Sequence, residues 1–496
     1  MNPKLPASRP PVISASTRPS QGLAWLQAAR QALARHSAPL TLLSSPLFTA
    51  TPCHVLDTPA TSSTPPATLA TLANGLRTVT IPMPWRETLS LSVFIRTGSL
   101  HESARLNGIS HVVEHMAFKG TAKRDCQRIN LDAEALGAEV NAHTDKDHTA
   151  FHIEGLPGDL PAFVEWLADI VLNSSFPADE LERERRVIEQ EFSEFEDDPG
   201  SVAFLLLDRA CYGPGHAAGR PIIGTRANIQ RLRRADLLAY ARAQYTACNV
   251  VVVAAGPVDA EAFTRLVEQA FGAMPAGLPN ELSAPRWQGG LKTRRMAGSG
   301  QCQVLLGFEA PSLGDEAEST AHLPHVLAAA LLGEGMSSPL LDEIRERRGL
   351  AYHVACSADI LPLYGQFLIE GATAPAQAEE YLQAVHALLL RQAQGPLDAV
   401  ALARARKQLQ MRGLRALEQP ARRMEAAAQE LFHFGRLRAP QELMAQLQEV
   451  SAAQVQAVFE QLLLGPQQQP GQPRPAIALA GSVPQRVRDC AQALVG

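Results

Sequence analysis

Gly108-Ile-Ser-His111-Val-Val-Glu114-His115-Met-Ala-Phe-Lys-Gly120 reads as an apolar helix carrying three polar groups that a plain core helix does not need. His111 and His115 are four residues apart, so on a helix they stand one above the other on a single face. Two imidazoles placed this way chelate one divalent ion, and Glu114 lies beside them. A metal on two histidines with a neighbouring carboxylate has the parts to activate a water: the ion lowers its pKa and the carboxylate takes the proton. His-x-x-Glu-His is the reversed form of the commoner His-Glu-x-x-His zinc motif. A His-x-x-x-His pair alone is equally compatible with a packed helix, so a third ligand is required to decide.

Downstream, Asp179-Glu-Leu-Glu-Arg-Glu184-Arg-Arg-Val-Ile-Glu189-Gln-Glu191-Phe is a strongly helical run that stops before Pro199. Glu184 and Glu191 are two turns apart and share a face. Acids on such a helix are ordinarily salt-bridge partners on a solvated surface.

These two stretches together resemble the pitrilysin/insulinase metallopeptidases, in which His-x-x-Glu-His is followed about 76 residues later by a glutamate in a segment of the form Glu-Arg-x-Val-Ile-x-x-Glu. Glu191 lies 76 residues beyond His115, and Glu184 to Glu191 fits the segment. The resemblance implies one Zn2+ per chain held by His111, His115 and Glu191. It makes Glu114 the general base and Glu184 an acid that orients a ligand.

Other segments extend the resemblance over roughly residues 70 to 485. Asn141-Ala142-His-Thr is similar to the family's strand beside the zinc, where an extended substrate adds its backbone to a sheet edge. Read from its residues alone, the segment is a hairpin stabilised by Thr and Asn side chains. His143, His148 and His152 fall in this stretch of alternating faces and are expected not to ligate. Arg345-Glu-Arg-Arg-Gly-Leu-Ala-Tyr352 matches the family's Arg-x-x-x-x-Gly-x-Tyr pattern. The resemblance implies that Arg345 binds substrate backbone and Tyr352 donates to the oxyanion. On residue type alone they are a surface ion-pair partner and a half-buried strand aromatic.

At 496 residues the chain exceeds one core. Its 46% hydrophobic and 19% charged content is ordinary for a globular protein. A net charge of −5 and the lack of a basic stripe argue against nucleic-acid binding. No apolar run reaches the length of a membrane span. The seven cysteines are scattered, never Cys-x-x-Cys, and fit a reducing compartment.

Residues 1–66 read as a largely disordered extension with one helix, Gly22 to His36. Because no acid precedes Asp57, a mitochondrial transit peptide is the alternative to a cytoplasmic chain. Strand and helix signals then run through a first domain, 67–274, and a linker of Pro, Gly and basic residues, 275–298. The order of elements begins again in a second domain, 299–496. The expected fold is α+β: two homologous domains, each a mostly antiparallel sheet packed with helices. Placing His325-Val-Leu-Ala328-Ala329 under His111 to His115 keeps only the first histidine, so the second domain is expected to hold no metal.

Family members of this length form half of a closed chamber. The resemblance therefore implies a homodimer or a heterodimer with a related chain, acting as a zinc-dependent endopeptidase on bound peptides. A catalytically silent scaffold partner and a metal-dependent hydrolase of a non-peptide are the alternative readings.

Overall fold

The computed structural model describes residues 65–314, 320–468 and 471–496. The extension's helix and transit-peptide readings lie outside these residues. In the first sheet, β1 (Thr68–Thr71), β2 (Arg77–Pro82), β3 (Leu89–Ile95), β4 (Glu139–Thr144), β5 (Thr149–Gly155) and β6 (Val250–Gly256) run in the order β1-β2-β6-β3-β5-β4. The second sheet is made of β7 (Gly290–Arg295), β8 (Cys302–Ala310), β9 (Ala351–Ile360), β10 (Gly365–Thr373) and β11 (Ala476–Gly481), ordered β7-β11-β8-β10-β9. With β1 set aside the two orders coincide strand for strand, and the parallel pairs, β2/β6 and β7/β11, fall at equivalent places. This is the duplication expected from the sequence.

β3 and β6 are buried along their whole length because both faces of the first sheet are covered. Leu89, Leu91, Val93 and Ile95 point into a core shared with α1 (Ile109–Ala117), α2 (Cys126–Ala135), α3 (Leu160–Leu172) and α4 (Ala178–Asp197). Phe94 points the other way, onto a helix from the far end of the chain, Pro420–Phe434. That helix lays Met424, Ala428, Leu431 and Phe432 against Val79, Ile81, Val251 and Val253. The exchange is reciprocal. α5 (Pro199–Tyr212), from the first half, packs Val202, Ala203 and Leu207 on Leu305, Leu368 and Ala478 of the second sheet. Each domain thus covers the other's sheet.

One boundary differs from expectation. The linker 275–298 contains β7, whose polar Gly-Leu-Lys-Thr-Arg-Arg sequence suits a half-exposed edge strand. Residues 226–244 form two helices, Arg226–Arg231 and Arg234–Gln244, the second started where the Asp236 carboxylate accepts from the Arg233 N–H at 2.8 Å. After Ser338 a single turn, Pro339–Leu341, runs into the wider π-type segment Asp342–Arg347. Between 376 and 463 lie five helices, because Pro420 and Pro440 each open a new one at its first position and Ser451 caps the last.

The start of α1 is fixed by its surroundings. Glu102 is buried, and its carboxylate accepts from the Gly108 N–H at 2.7 Å, the Ser110 N–H at 2.8 Å and the Asn107 amide at 2.9 Å. A carboxyl group here satisfies first-turn donors, although burial pushes its pKa up to about 7 against those hydrogen bonds. Gly108 has φ +101°, and a Cβ there would meet Ile229 Cδ1 at 2.8 Å and Gly224 Cα at 2.9 Å, so no other residue fits.

Glu102→Ala is expected to strand these donors and lower stability by about 3 kcal/mol in denaturant unfolding; a change under about 0.5 kcal/mol would contradict the cap. Phe432→Ala, which opens a void between the exchanged helix and the first sheet, is expected to cost about 3–5 kcal/mol by the same measurement.

Candidate metal centre

α1 presents His111 and His115 toward α4, and α4 returns Glu184 and Glu191 from its buried stripe of Leu181, Glu184, Ile188, Glu191 and Phe192. The acids are inward for the reason their spacing gave: they keep step with the apolar residues at the helical repeat. The His111 and His115 Nε2 atoms are 3.2 Å apart. One Glu191 oxygen is 3.6 Å from His111 Nε2 and the other 3.6 Å from His115 Nε2. A tetrahedral zinc with bonds of about 2.0–2.1 Å sets its ligands roughly 3.3–3.4 Å apart. The three donors fit that ion without rearrangement.

The surrounding groups aim the ligands. His115 Nδ1–H donates to Glu184 Oε2 at 3.0 Å, which turns Nε2 toward the cluster; Lys119 Nζ holds the other Glu184 oxygen at 2.7 Å. Burial pulls the His115 pKa down, but the Glu184 hydrogen bond and the Glu191 and Glu114 charges outweigh it and raise the imidazole above its ordinary value. His111, by contrast, is pushed well below by burial and by His115, so it stays neutral and able to ligate. Among the described residues His111 Nδ1 has no hydrogen-bond partner, so that ring is oriented by packing and by its Nε2 contacts to His115 and Glu191. The Glu184 carboxyl lies below its usual range: burial would raise it, but the hydrogen bonds from His115 and Lys119 prevail.

Glu114 is buried one residue before His115 and accepts from Thr144 Oγ1 at 2.7 Å. Burial raises its pKa, and His115 and Thr144 oppose the rise. A carboxylate poised upward in this way suits a proton acceptor. Thr144 belongs to β4, the outer edge of the sheet. Asn141 and Ala142 lie on the same strand, and the Ala142 N–H is held by the Asn141 side-chain oxygen at 2.9 Å.

The structure therefore brings His111, His115, Glu191, Glu114 and Glu184 into one cluster beside the edge strand. Arg345 and Tyr352 form a separate pair in the second domain. Arg345 lies over the Tyr352 ring at 4.8 Å and contacts Glu346 at 3.4 Å, while Tyr352 is 74% exposed on β9, the edge of the second sheet. His325 is buried in Leu323–Gly333, the helix that follows β8 as α1 follows β3. Sequence reasoning assigned no role to Glu102, Lys119 or Thr144, although Lys119 and Thr144 lie inside the quoted Gly108–Gly120 and Asn-Ala-His-Thr stretches. His143, His148 and His152, expected not to ligate, lie close together, and His143 and His148 form, with Glu425, a second group of donors within 4.8 Å of one another.

Among the described residues no helix is long and apolar enough to cross a membrane. The model of the insulinase family (peptidase family M16) matches residues 77–226, and that of the peptidase M16 inactive domain matches residues 231–409. An uncharacterized zinc protease of Mycobacterium leprae is 32% identical over 398 residues, 79% of this chain and 88% of that protein. The mitochondrial-processing peptidase subunit beta of Lentinula edodes is 34% identical over 271 residues, 55% of this chain and 54% of that one. Among solved structures, a peptidase M16 inactive domain from Pseudomonas fluorescens superposes with a TM-score of 0.75 at 21% identity, covering 84% of this chain and 98% of its own. A protease from Helicobacter pylori superposes with a TM-score of 0.74 at 21% identity, covering 84% and 99%. With the inverted motif, its distal glutamate and the duplicated sheet in place, the chain belongs to the insulinase family of peptidases, family M16, as a half-length member.

Proposed function

We propose that the chain is a zinc-dependent endopeptidase acting on a peptide bound as an extended strand along β4. The observation that carries the reading is the separation of the three donors, 3.2, 3.6 and 3.6 Å, with Glu114 buried beside them. A zinc ion held by His111, His115 and Glu191 supplies Lewis acidity toward the scissile carbonyl and a water acidic enough to react near neutral pH.

Glu114 takes the proton lost by the attacking water and delivers it to the leaving amine; the Thr144 hydroxyl keeps the carboxylate aimed at it. The open edge of β4 offers main-chain groups to an incoming strand, with Asn141 and Ala142 at the place of addition. Strand addition gives affinity with little dependence on side chains, which suits a peptidase of varied substrates. Arg345 and Tyr352 are assigned to substrate backbone and oxyanion, supplied by the facing half-shell of a dimer. The exposure of Tyr352 on the second sheet's edge, with the half-buried Arg345 guanidinium stacked on its ring, suits a pair that acts on another surface.

A catalytically silent partner would not need Glu114, and a hydrolase of small non-peptides would not need an open strand edge. A quenched peptide library assayed with and without chelator separates these readings from the peptidase.

Glu114→Gln is expected to retain zinc and lose roughly 10²–10⁴ in peptide turnover; turnover at the wild-type rate would overturn the assignment. Glu184→Gln is expected to weaken zinc about 10–100-fold in a chelator competition, since it releases the His115 ring. Light scattering on the active species is expected to give the mass of a dimer, and an active monomer would contradict the facing half-shell.

A further inference from the structure

The alternation of β4 separates two polar clusters. Thr144 faces α1 and reaches Glu114, so its neighbour His143 points through the opposite face, where β5 sets Ala150 across from His143 and His152 across from Asn141. On that face lies the exchanged helix Pro420–Phe434, which presents Glu425, Gln429 and His433 at four-residue steps. The first and second domains meet here through polar groups in the midst of an apolar contact.

The donors are arranged as at the first cluster. His143 Nε2 and His148 Nε2 face each other at 3.2 Å, the same separation as His111 and His115, and a Glu425 oxygen completes a set in which all ligand atoms lie within 4.8 Å. The rest of each ring is already engaged. His148 Nδ1 is 2.7 Å from Asp147 Oδ1 and 2.9 Å from Gln429 Nε2, which leaves Nε2 turned toward His143. His143 Nδ1 is 3.0 Å from His152 Nε2, and His152 Nδ1 is 2.6 Å from Ser92 Oγ. A carboxylate behind one imidazole and a polar relay behind the other is the support that metal-binding histidines receive.

A metal-free explanation exists for the rings: a run of hydrogen bonds from Ser92 through His152, His143 and His148 to Asp147. Glu425 takes no part in that run.

We propose that His143, His148 and Glu425 bind a second divalent transition-metal ion, of the class that two imidazoles and a carboxylate select, which ties the exchanged helix of the second domain to the outer face of the first sheet. The site is separate from the one used for the proposed hydrolysis, and its role is to hold the domains together.

The test uses metal-depleted full-length chain titrated with Zn2+, with bound metal counted by plasma mass spectrometry after gel filtration. Two ions per chain are expected for the wild type, one for His115→Ala, and none for His115→Ala combined with His143→Ala and His148→Ala. To guard against misfolding, Glu425→Gln is compared with Glu425 in the His115→Ala background. Zinc affinity is expected to fall about tenfold or more, and the rise in unfolding temperature caused by zinc is expected to shrink, with unchanged unfolding in chelator. One ion per wild-type chain and none in His115→Ala would overturn the second site while leaving the first intact. Equal zinc affinity with Glu425→Gln would equally overturn the proposed ligand set.

Discussion

Two imidazole nitrogens 3.2 Å apart, with a carboxylate oxygen 3.6 Å from each, are held in a nearly water-free recess. Lone pairs and a negative charge at such distances repel unless a proton or a cation lies among them. Much of the arrangement is fixed from behind: His115 by Glu184, Glu184 by Lys119, Glu114 by Thr144, and the start of α1 by Glu102, while His111 Nδ1 has no such partner among the described residues. The outer groups carry the ordering, so the inner ones are poised for a cation before it arrives. This is the preorganisation on which metal affinity and fast proton transfer both depend.

The fold places this recess next to an open strand edge. β4 closes the first sheet on one side and contributes Thr144 to the recess, so a peptide bound along β4 as proposed would pass His111, His115 and Glu191. The exchange of α5 for Pro420–Phe434 makes the two sheets depend on each other for burial. It also explains why the central strands read as continuous apolar runs, as in Asn249-Val-Val-Val-Val-Ala-Ala-Gly256, although the pairing is mostly antiparallel.

Much of this was legible in the residues. The i, i+4 histidines and the heptad-spaced glutamates are local periodic signals, and each helix needed only its own sequence to present them on one face. The repeated order of strands was likewise visible. What escaped was either weakly patterned or assembled across long distances. β7 is polar because it is a half-exposed edge, so composition read it as linker. Glu102 lies in a loop with no periodicity, and its role appears only when the chain folds back to the start of α1. His143, His148 and His152 belong to a hairpin whose alternation, read locally, scatters them. Yet His143 and His152 share a face, and Glu425 reaches His143 and His148 from a helix more than 270 residues away by means of a domain exchange that no local pattern encodes.

The account turns on a single cation at the junction of α1 and α4. Anomalous diffraction at the zinc absorption edge, from crystals of the zinc-loaded chain, locates it directly. The predicted result is a peak bonded to His111 Nε2, His115 Nε2 and a Glu191 oxygen at about 2.0–2.2 Å. A fully zinc-loaded chain with no anomalous density between those three side chains would contradict it.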